Sequence, residues 1–580
     1  MRRETYGATT PFFLLLLCFL FSFTHAHEFS FGDRVPMFAN VVFPKDSPLE
    51  TYPFYYLPFP KPEYEERPWW SLSSALQGDA LNSIDIHPTF LENTNWRPIG
   101  IAKLNTKTDV KHFKRIIAKN YVAEALVDGL PVYFPLVDEH GRLNTGFHIK
   151  LGYNGGNVVT ASVAADPLRV KDPSLIEIGA VSQFFCAITW EERTDVSYFD
   201  RMDLYSQDTA FEHVKALHYL SVGWSAIVFL IAVVTFFFTR GVLNSAVSRY
   251  SHDPLDLAPA SGDGWRAIRN DVGRPPAYRS VLAAFLGAGA HVAVMVVTAL
   301  VFMAFVSLET TERSNGIVKG VIVLSFLLGC PIAGFVSARK YRAMKGTRWL
   351  LNVFLTILVL PFPVAVVFFT TNTMAWLYGS TQALPVPVVI VFIGIFLVIS
   401  LPGTVLAALV GRHYKPPTQL DVASIARPVP QCPATGKTKV VAPVIGFICF
   451  LCIAPELWLL NYSFWGTSTY TSYTLLTINT AIFCATIVVF VRSAVYAMLH
   501  YENHRWRWPT VIVAASPAAW ALVFAFLWYV TGPIKGFYSF VFYALYSPLL
   551  VYVVALALGT IGFMSVDRMV RTMYRRIKTD

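Results

Sequence analysis

The sequence predicts a polytopic α-helical membrane protein with nine transmembrane helices and an N-terminal lumenal β-rich, sandwich-like domain. Three observations carry that expectation. Between about Tyr219 and Val566 lie nine apolar runs of roughly twenty residues, the length a helix needs to cross ~30 Å of hydrocarbon. Lys and Arg gather in alternate connections between those runs. The composition, 580 residues with 14% charged and 54% hydrophobic, holds about half the charged residues of an ordinary soluble chain.

The runs begin near Tyr219, Val281, Gly316, Leu350, Pro387, Val441, Ser472, Thr510 and Phe540. In lipid only helices or closed barrels satisfy their own backbone, and unbroken stretches such as IVFLIAVVTFFF (227 to 238) lack the alternation of a barrel strand. The runs are therefore read as helices.

Basic residues orient them. Six follow span one (Arg240 to Arg279), five follow span three (Arg339 to Arg348), five follow span five, three follow span seven and five lie in the tail. The opposite connections and their margins hold only Arg313, Lys319 and Lys535. This alternation fits an odd number of spans, with the N-terminal side lumenal and the tail cytosolic. It also accounts for the net charge of +10: the excess sits in short loops and forms no long run in a soluble domain, so a nucleic-acid partner is not expected.

Residues 1–26 read as a signal peptide, with Arg2 and Arg3 at its start, the apolar core PFFLLLLCFLFSF (11 to 23) and small residues near Ala26. Residues 27–218 then form the β-rich ectodomain, 219–566 the nine-helix domain and 567–580 a cytosolic tail. Runs such as NVVTASVA (157 to 164) and AVSQFFCAITW (180 to 190) are strand-like, and TDVKHFKRIIAKNYVAEAL (108 to 126) has apolar residues at helical spacing. Cys186 is the single cysteine of that segment, so no internal disulfide is expected there. Cys449 and Cys452 have C-x-x-C spacing but lie within span six, where packing is the expected role. The sequon at Asn461 abuts the end of span six, too near the bilayer for efficient glycosylation.

Few ionisable residues interrupt the spans. Glu456 follows Pro455 in span six; an acidic side chain at mid-bilayer costs about 2.5–3.5 kcal/mol, so it must face protein, pair or be protonated. Proline there removes a helix hydrogen bond and opens local structure. Two readings stand: an interhelical hydrogen bond, or a polar contact for a cargo helix or ion path. His291 in span two follows Gly287 and Gly289, which permit close helix approach; it is either a packed, bonded core histidine or a proton sensor. Pro361, Pro363, Pro402, Pro517 and Pro548 imply kinks. Arg505, Trp506, Arg507 and Trp508 read as an interfacial anchor, with tryptophan at headgroup level and arginine toward anionic lipid. No P-loop, HExxH, G-x-S-x-G or dense ligand cluster is present, so neither enzyme activity nor a metal or cofactor is expected.

Several blocks in order along the chain resemble the nonaspanins, the transmembrane nine superfamily. They are FGDRVPMFANVV (31 to 42), SPLETYPFYYLPF (47 to 59), LQGDAL (76 to 81), GWRAIRNDVGRPP (264 to 276), GFVSARKYRAMKGTRWLLN (334 to 352), PELWLL (455 to 460), LHYENHRWRWPTVIVAASPAAW (499 to 520) and GTIGFMSVDRMVRTMYRRIKTD (559 to 580). The chain departs from the family at Pro60, where Cys is frequent, and at His500, Tyr501 and Glu502, where a more acidic and aromatic run is frequent. The resemblance implies a non-enzymatic protein of Golgi and endosomal membranes that helps transmembrane cargo reach its membrane. It also implies that Lys578 and Asp580, near and at the carboxyl terminus, form a sorting signal read by the COPI coat, through charge-assisted contacts. A secondary transporter or channel using Glu456 and His291, and an adhesion or ligand receptor acting through the ectodomain, remain the alternatives.

Overall fold

In the computed structural model the described residues are 28–57, 59, 62, 78–198, 201, 214–250, 264–306, 314–414, 422–430, 437–465, 472–532 and 534–575. The expected signal peptide and the residues Pro60, Lys578 and Asp580 lie outside them.

Alternation of apolar residues builds the N-terminal domain. Its strands are β1 (Met37–Pro44), β2 (Tyr52–Pro53), β3 (Asn82–Ser83), β4 (Thr94–Lys103), β5 (Tyr121–Val127), β6 (Leu130–Pro135), β7 (Leu143–Asn144), β8 (Gly146–Asn154), β9 (Asn157–Ala165), β10 (Val170–Lys171) and β11 (Val181–Glu192). In β5 the odd-numbered residues from Tyr121 to Val127 are buried and the even ones half-buried, as a strand covering a core on one face requires. Asp128 and Gly129, both at positive φ, turn β5 back into β6 with Val127 opposite Leu130. One sheet has the order β2-β1-β5-β6 with β3 also on β1; another is β4-β11-β8-β9, antiparallel except for the parallel β11–β8 pair. A small third sheet pairs β10 with β7. Residues of both larger sheets, Val42 and Val132 from one and Ile149 and Ile188 from the other, share a single apolar core. The expected sandwich-like domain is present.

The helix expected over 108–126 is shorter. Helix α1 runs Lys107–Ala118, opened by a capping box in which Thr106 Oγ1 accepts from Asp109 N (3.1 Å) and the Asp109 carboxylate accepts from Thr106 N (2.9 Å). Those bonds hold the Asp109 carboxyl below its usual range. Asn120 then adopts a left-handed φ of 47°, which ends helical propagation, and Tyr121 onward follows strand alternation into β5.

Nine helical segments of the described residues are long and apolar enough to cross a membrane. Span one is the helix Val214–Tyr250, span two Arg279–Val306 and span three Ser314–Ala343. Span four is two helices, Trp349–Val359 and Pro361–Tyr378, broken where Pro361 lacks an N–H. Span five is Val386–Ile395, a π-helical stretch Phe396–Ser400, and Leu401–His413. Pro402 follows that stretch, and its ring excludes the ordinary bond to the carbonyl four residues back. Spans six to nine are Thr438–Trp465, Tyr473–His500, Arg507–Thr531 and Phe537–Arg575. Small residues set the close approaches: a Cβ at Gly287 would meet Ala333 O and Ser337 of span three, and one at Gly289 would collide with Leu556 O and Thr560 of span nine.

The β domain is fastened to the spans. Ser47 Oγ lies 2.6 Å from Ser539 Oγ, Thr51 Oγ1 lies 2.6 Å from Thr381 Oγ1, and Lys535 N donates to Asp46 O (2.8 Å). Leu49 packs into the aromatic cluster of Trp465, Trp528 and Tyr543. The chain behind this contact is held by Glu50, a buried carboxylate that accepts from Tyr52 Oη (2.7 Å), Arg115 Nη2 (2.7 Å) and Lys119 Nζ (3.3 Å).

At the opposite end of the bundle basic residues of the loops and helix ends turn inward. Asp567 of span nine accepts from Lys340 of span three (2.7 Å) and from Arg571 (3.1 Å). Here the anchor reading of Trp506 and Arg507 is corrected. Trp506 is 2% exposed, donates through Nε1 to Val272 O (3.1 Å) and stacks on Phe563, while Arg507 donates to Gly273 O. The loop 264–277 supplies carbonyls that the indole and guanidinium satisfy better than lipid headgroups would. Trp508 donates to Ala277 O (2.8 Å) and is half-buried, and Arg505 is exposed.

Candidate functional site

Glu456 sits at the centre of a polar seam between spans one, six and seven. Its side chain is fully buried. His218 Nδ1 lies 2.9 Å from Glu456 Oε1, and Asn479 Nδ2 donates to Glu456 Oε2 at 3.4 Å. Asn479 also donates to Ser221 Oγ (2.9 Å), and Ser225 Oγ is in contact with both Asn479 Oδ1 (2.5 Å) and Cys452 O (2.6 Å). Each buried polar group thus meets another helix, the arrangement lipid demands. Pro455 cannot donate to Leu451 O, and Trp224 Nε1 of span one takes that carbonyl instead at 3.0 Å. Ser516 Oγ likewise bonds Val513 O, the carbonyl left by Pro517. Cys449 and Cys452 are free, buried and packed in this seam. In burial and bonding the seam is an interhelical lock.

His218, Ser221 and Ser225 were not singled out from sequence, although a signal was there. They recur three and four residues apart on span one, which lines them along one helical face.

His291 is 4% exposed, with its ring 4.8 Å from that of Phe326 and against Gly329 of span three, where a Cβ would collide with the imidazole. It faces a cavity of about 20 Å³ shared with Cys330, Thr356, Ser400 and Thr404, room for about one water. Three helix irregularities converge there: Pro331 inside span three, the break at Leu360 and the π-helical stretch of span five. The structure does not bring His291 into the Glu456 seam.

Span five diverges beyond its π-helical stretch. Leu401–His413 packs on span three, whereas Val386–Ile395 packs substantially on no other span among the described residues; Pro361–Tyr378 of span four leans on span nine instead. The two half-helices nearest the β domain therefore present apolar side chains, Phe362, Val366, Phe369, Ile390 and Val391 among them, to the lipid-facing side. Asn461, in the last turns of span six, donates to its own helix at Leu457 O.

The family model for Endomembrane protein 70 matches residues 51–537, most of the chain. The chain belongs to this family, the nonaspanins. Among curated relatives, Transmembrane 9 superfamily member 1 of Bos taurus is 29% identical over 575 residues, covering 95% of this chain and 94% of its own. Transmembrane 9 superfamily member 4 of Arabidopsis thaliana is 29% identical over 595 residues and 98% of each chain. Putative phagocytic receptor 1b of Dictyostelium discoideum is 29% identical over 503 residues, 83% of each. No solved structure matches the chain. In this nonaspanin the family-like block PELWLL holds the carboxylate of the seam, and the block LHYENHRWRW supplies the loop that locks onto residues 264–277.

Proposed function

We propose that this nonaspanin sorts or delivers other membrane proteins within Golgi and endosomal membranes, without catalysis, by holding their transmembrane helices against its own. The observation that supports this reading most is the divergence of spans four and five. Half-helices that leave their apolar sides unpacked within the bundle offer a lateral surface at membrane depth, which an incoming helix could cover without crossing an aqueous barrier. The basic residues of alternate loops favour an orientation with the β domain in the lumen and the tail in the cytosol. In that orientation Lys578 and Asp580 would be exposed to the COPI coat. The names of the relatives above include no enzyme.

The test is site-specific photocrosslinking in cells, with the probe at Ile390 or Phe369 and a control probe at the buried Val491. Protein adducts at the first two sites and not at the third support the reading; adducts to lipid alone overturn it. The Lys578→Ala, Asp580→Ala variant, with any tag kept off the tail, should leave the Golgi for endosomes or the surface.

A receptor reading has one support, the name of the Dictyostelium relative. A transport reading has less: Glu456 is engaged by His218 and Asn479, and the cavity beside His291 has room for about one water.

A further inference from the structure

Where spans three, four and five meet at the end of the bundle opposite the β domain, they border an open cavity of about 370 Å³. Its floor is apolar, formed by Ala338, Val353 and Ala408. Its mouth is basic, with Arg342, Arg412 and His413 among the lining residues and no acidic side chain among the described residues that line it. The arginines are held in place rather than loose. Arg412 lies over the Trp349 ring with Cζ 4.7 Å from its centroid, and Arg342 donates to the carbonyls of Arg412 and Tyr414. Just outside, Arg339 stacks over Tyr414 at 4.9 Å.

A second observation comes from the wall. Asn352 is 1% exposed and donates through Nδ2 to Ser337 Oγ (2.9 Å), but its Oδ1, in a residue that lines the cavity, has no hydrogen-bond partner among the described residues. Guanidinium groups call for an anion, and planar forks suit phosphate oxygens. A buried carbonyl oxygen calls for a donor, which a fully ionised phosphate does not supply and a hydroxyl does. Basic pockets between transmembrane helices are a recurrent setting for anionic lipid headgroups.

We propose that this cavity binds a phosphorylated polyol, the headgroup chemistry of a phosphoinositide, with phosphate at Arg342 and Arg412 and a ring hydroxyl donating to Asn352. The acyl chains would leave between spans toward lipid. The site is independent of the lateral surface on spans four and five, so either proposal stands if the other fails.

The test uses full-length protein in detergent micelles and measures binding of dioctanoyl phosphatidylinositol monophosphate, dioctanoyl phosphatidylserine and soluble inositol bisphosphate. The phosphoinositide should bind tighter than phosphatidylserine. Arg412→Gln should weaken it about 5-fold and Arg342→Gln with Arg412→Gln about 25-fold, from the usual contribution of one basic side chain at a membrane surface. Arg412 is exposed, so its single variant keeps the test valid if the double variant does not fold. Binding of the lipid alone assigns the site to the membrane; equal binding of inositol bisphosphate assigns it to a soluble ligand, and both support the chemistry. Equal binding of phosphatidylserine, or unchanged affinity in Arg412→Gln, overturns the proposal.

Discussion

His218 and Glu456, 238 residues apart in the chain, meet with Nδ1 and Oε1 2.9 Å apart and neither side chain more than 2% exposed. Removing His218 takes the closest partner from a carboxylate that keeps the longer bond from Asn479, and breaking a buried pair costs about 3–5 kcal/mol. A single interhelical hydrogen bond in a membrane is worth about 0.6–1.7 kcal/mol, so exchanging it for a weaker one costs less than that. His218→Ala should therefore lower the melting temperature of the detergent-solubilised protein far more than Glu456→Gln, which keeps an acceptor for His218. Intrinsic tryptophan fluorescence reads both, and equal shifts would show that the pair does not lock the spans.

A pH effect is expected in the β domain. Burial, helped by the nearby Asp79 carboxylate, raises the Glu124 carboxyl from its ordinary 4.5 to about 7. Asp79 is itself held by Asn40 Nδ2 at 3.1 Å, and Glu124 borders a cavity of about 80 Å³ lined by Phe54, Phe59, Phe134 and Phe184. The folded-state value lies above the unfolded one, so the protonated group stabilises the fold fully below about pH 4.5 and progressively less as pH rises through 7. The difference amounts to about 3 kcal/mol at most. Hydrogen exchange of β5 and β6, corrected for intrinsic rates, should show greater protection at pH 5 than at pH 7.5, and Glu124→Gln should abolish that difference.

Both residues bear on what the sequence could reveal. The spans were legible because a twenty-residue apolar run has few other physical meanings, and Glu456 was legible because a lone carboxylate in lipid demands a partner. Its partner His218 was not, because it stands at the seam between a polar domain and the first span, where a histidine attracts no notice. Trp506 was misread as an anchor because aromatic and basic residues beside a span look alike whether they face headgroups or a neighbouring loop; only the fold brings Val272 O to the indole. The end of α1 was hidden for a local reason, since the apolar spacing of a helix and of a strand overlap around Asn120 until the left-handed turn separates them.

The fastening of the β domain can be trapped covalently. Ser47 and Ser539 place their Oγ atoms 2.6 Å apart across 492 residues of chain, so thiols in their place need to close by only about 0.5 Å to reach the ~2.05 Å of a disulfide bond. With Ser47→Cys and Ser539→Cys together, a protease cut between the β domain and span one should leave the two fragments joined on a non-reducing gel and free on a reducing one. Either single variant should give separate fragments under both conditions. Separate fragments from the double variant would mean that the β domain leaves the spans in solution.

Close approach of spans two and nine supplies a contrast between two glycines. At Gly289 an added methyl group would collide with the backbone carbonyl of Leu556 and with Thr560, and a backbone atom has no rotamer by which to escape. Gly394, at the end of the diverging half of span five, has nothing within 4 Å of an added Cβ. Gly289→Ala should thus push the helices apart at about 1–3 kcal/mol, whereas Gly394→Ala should leave stability unchanged or raise it by about 0.4–1 kcal/mol through reduced chain entropy and better helix propensity. Melting of the two variants in the same detergent measures the difference directly. If Gly394→Ala proves as damaging as Gly289→Ala, the first half of span five is packed against a neighbour after all, and the lateral surface proposed for cargo is closed.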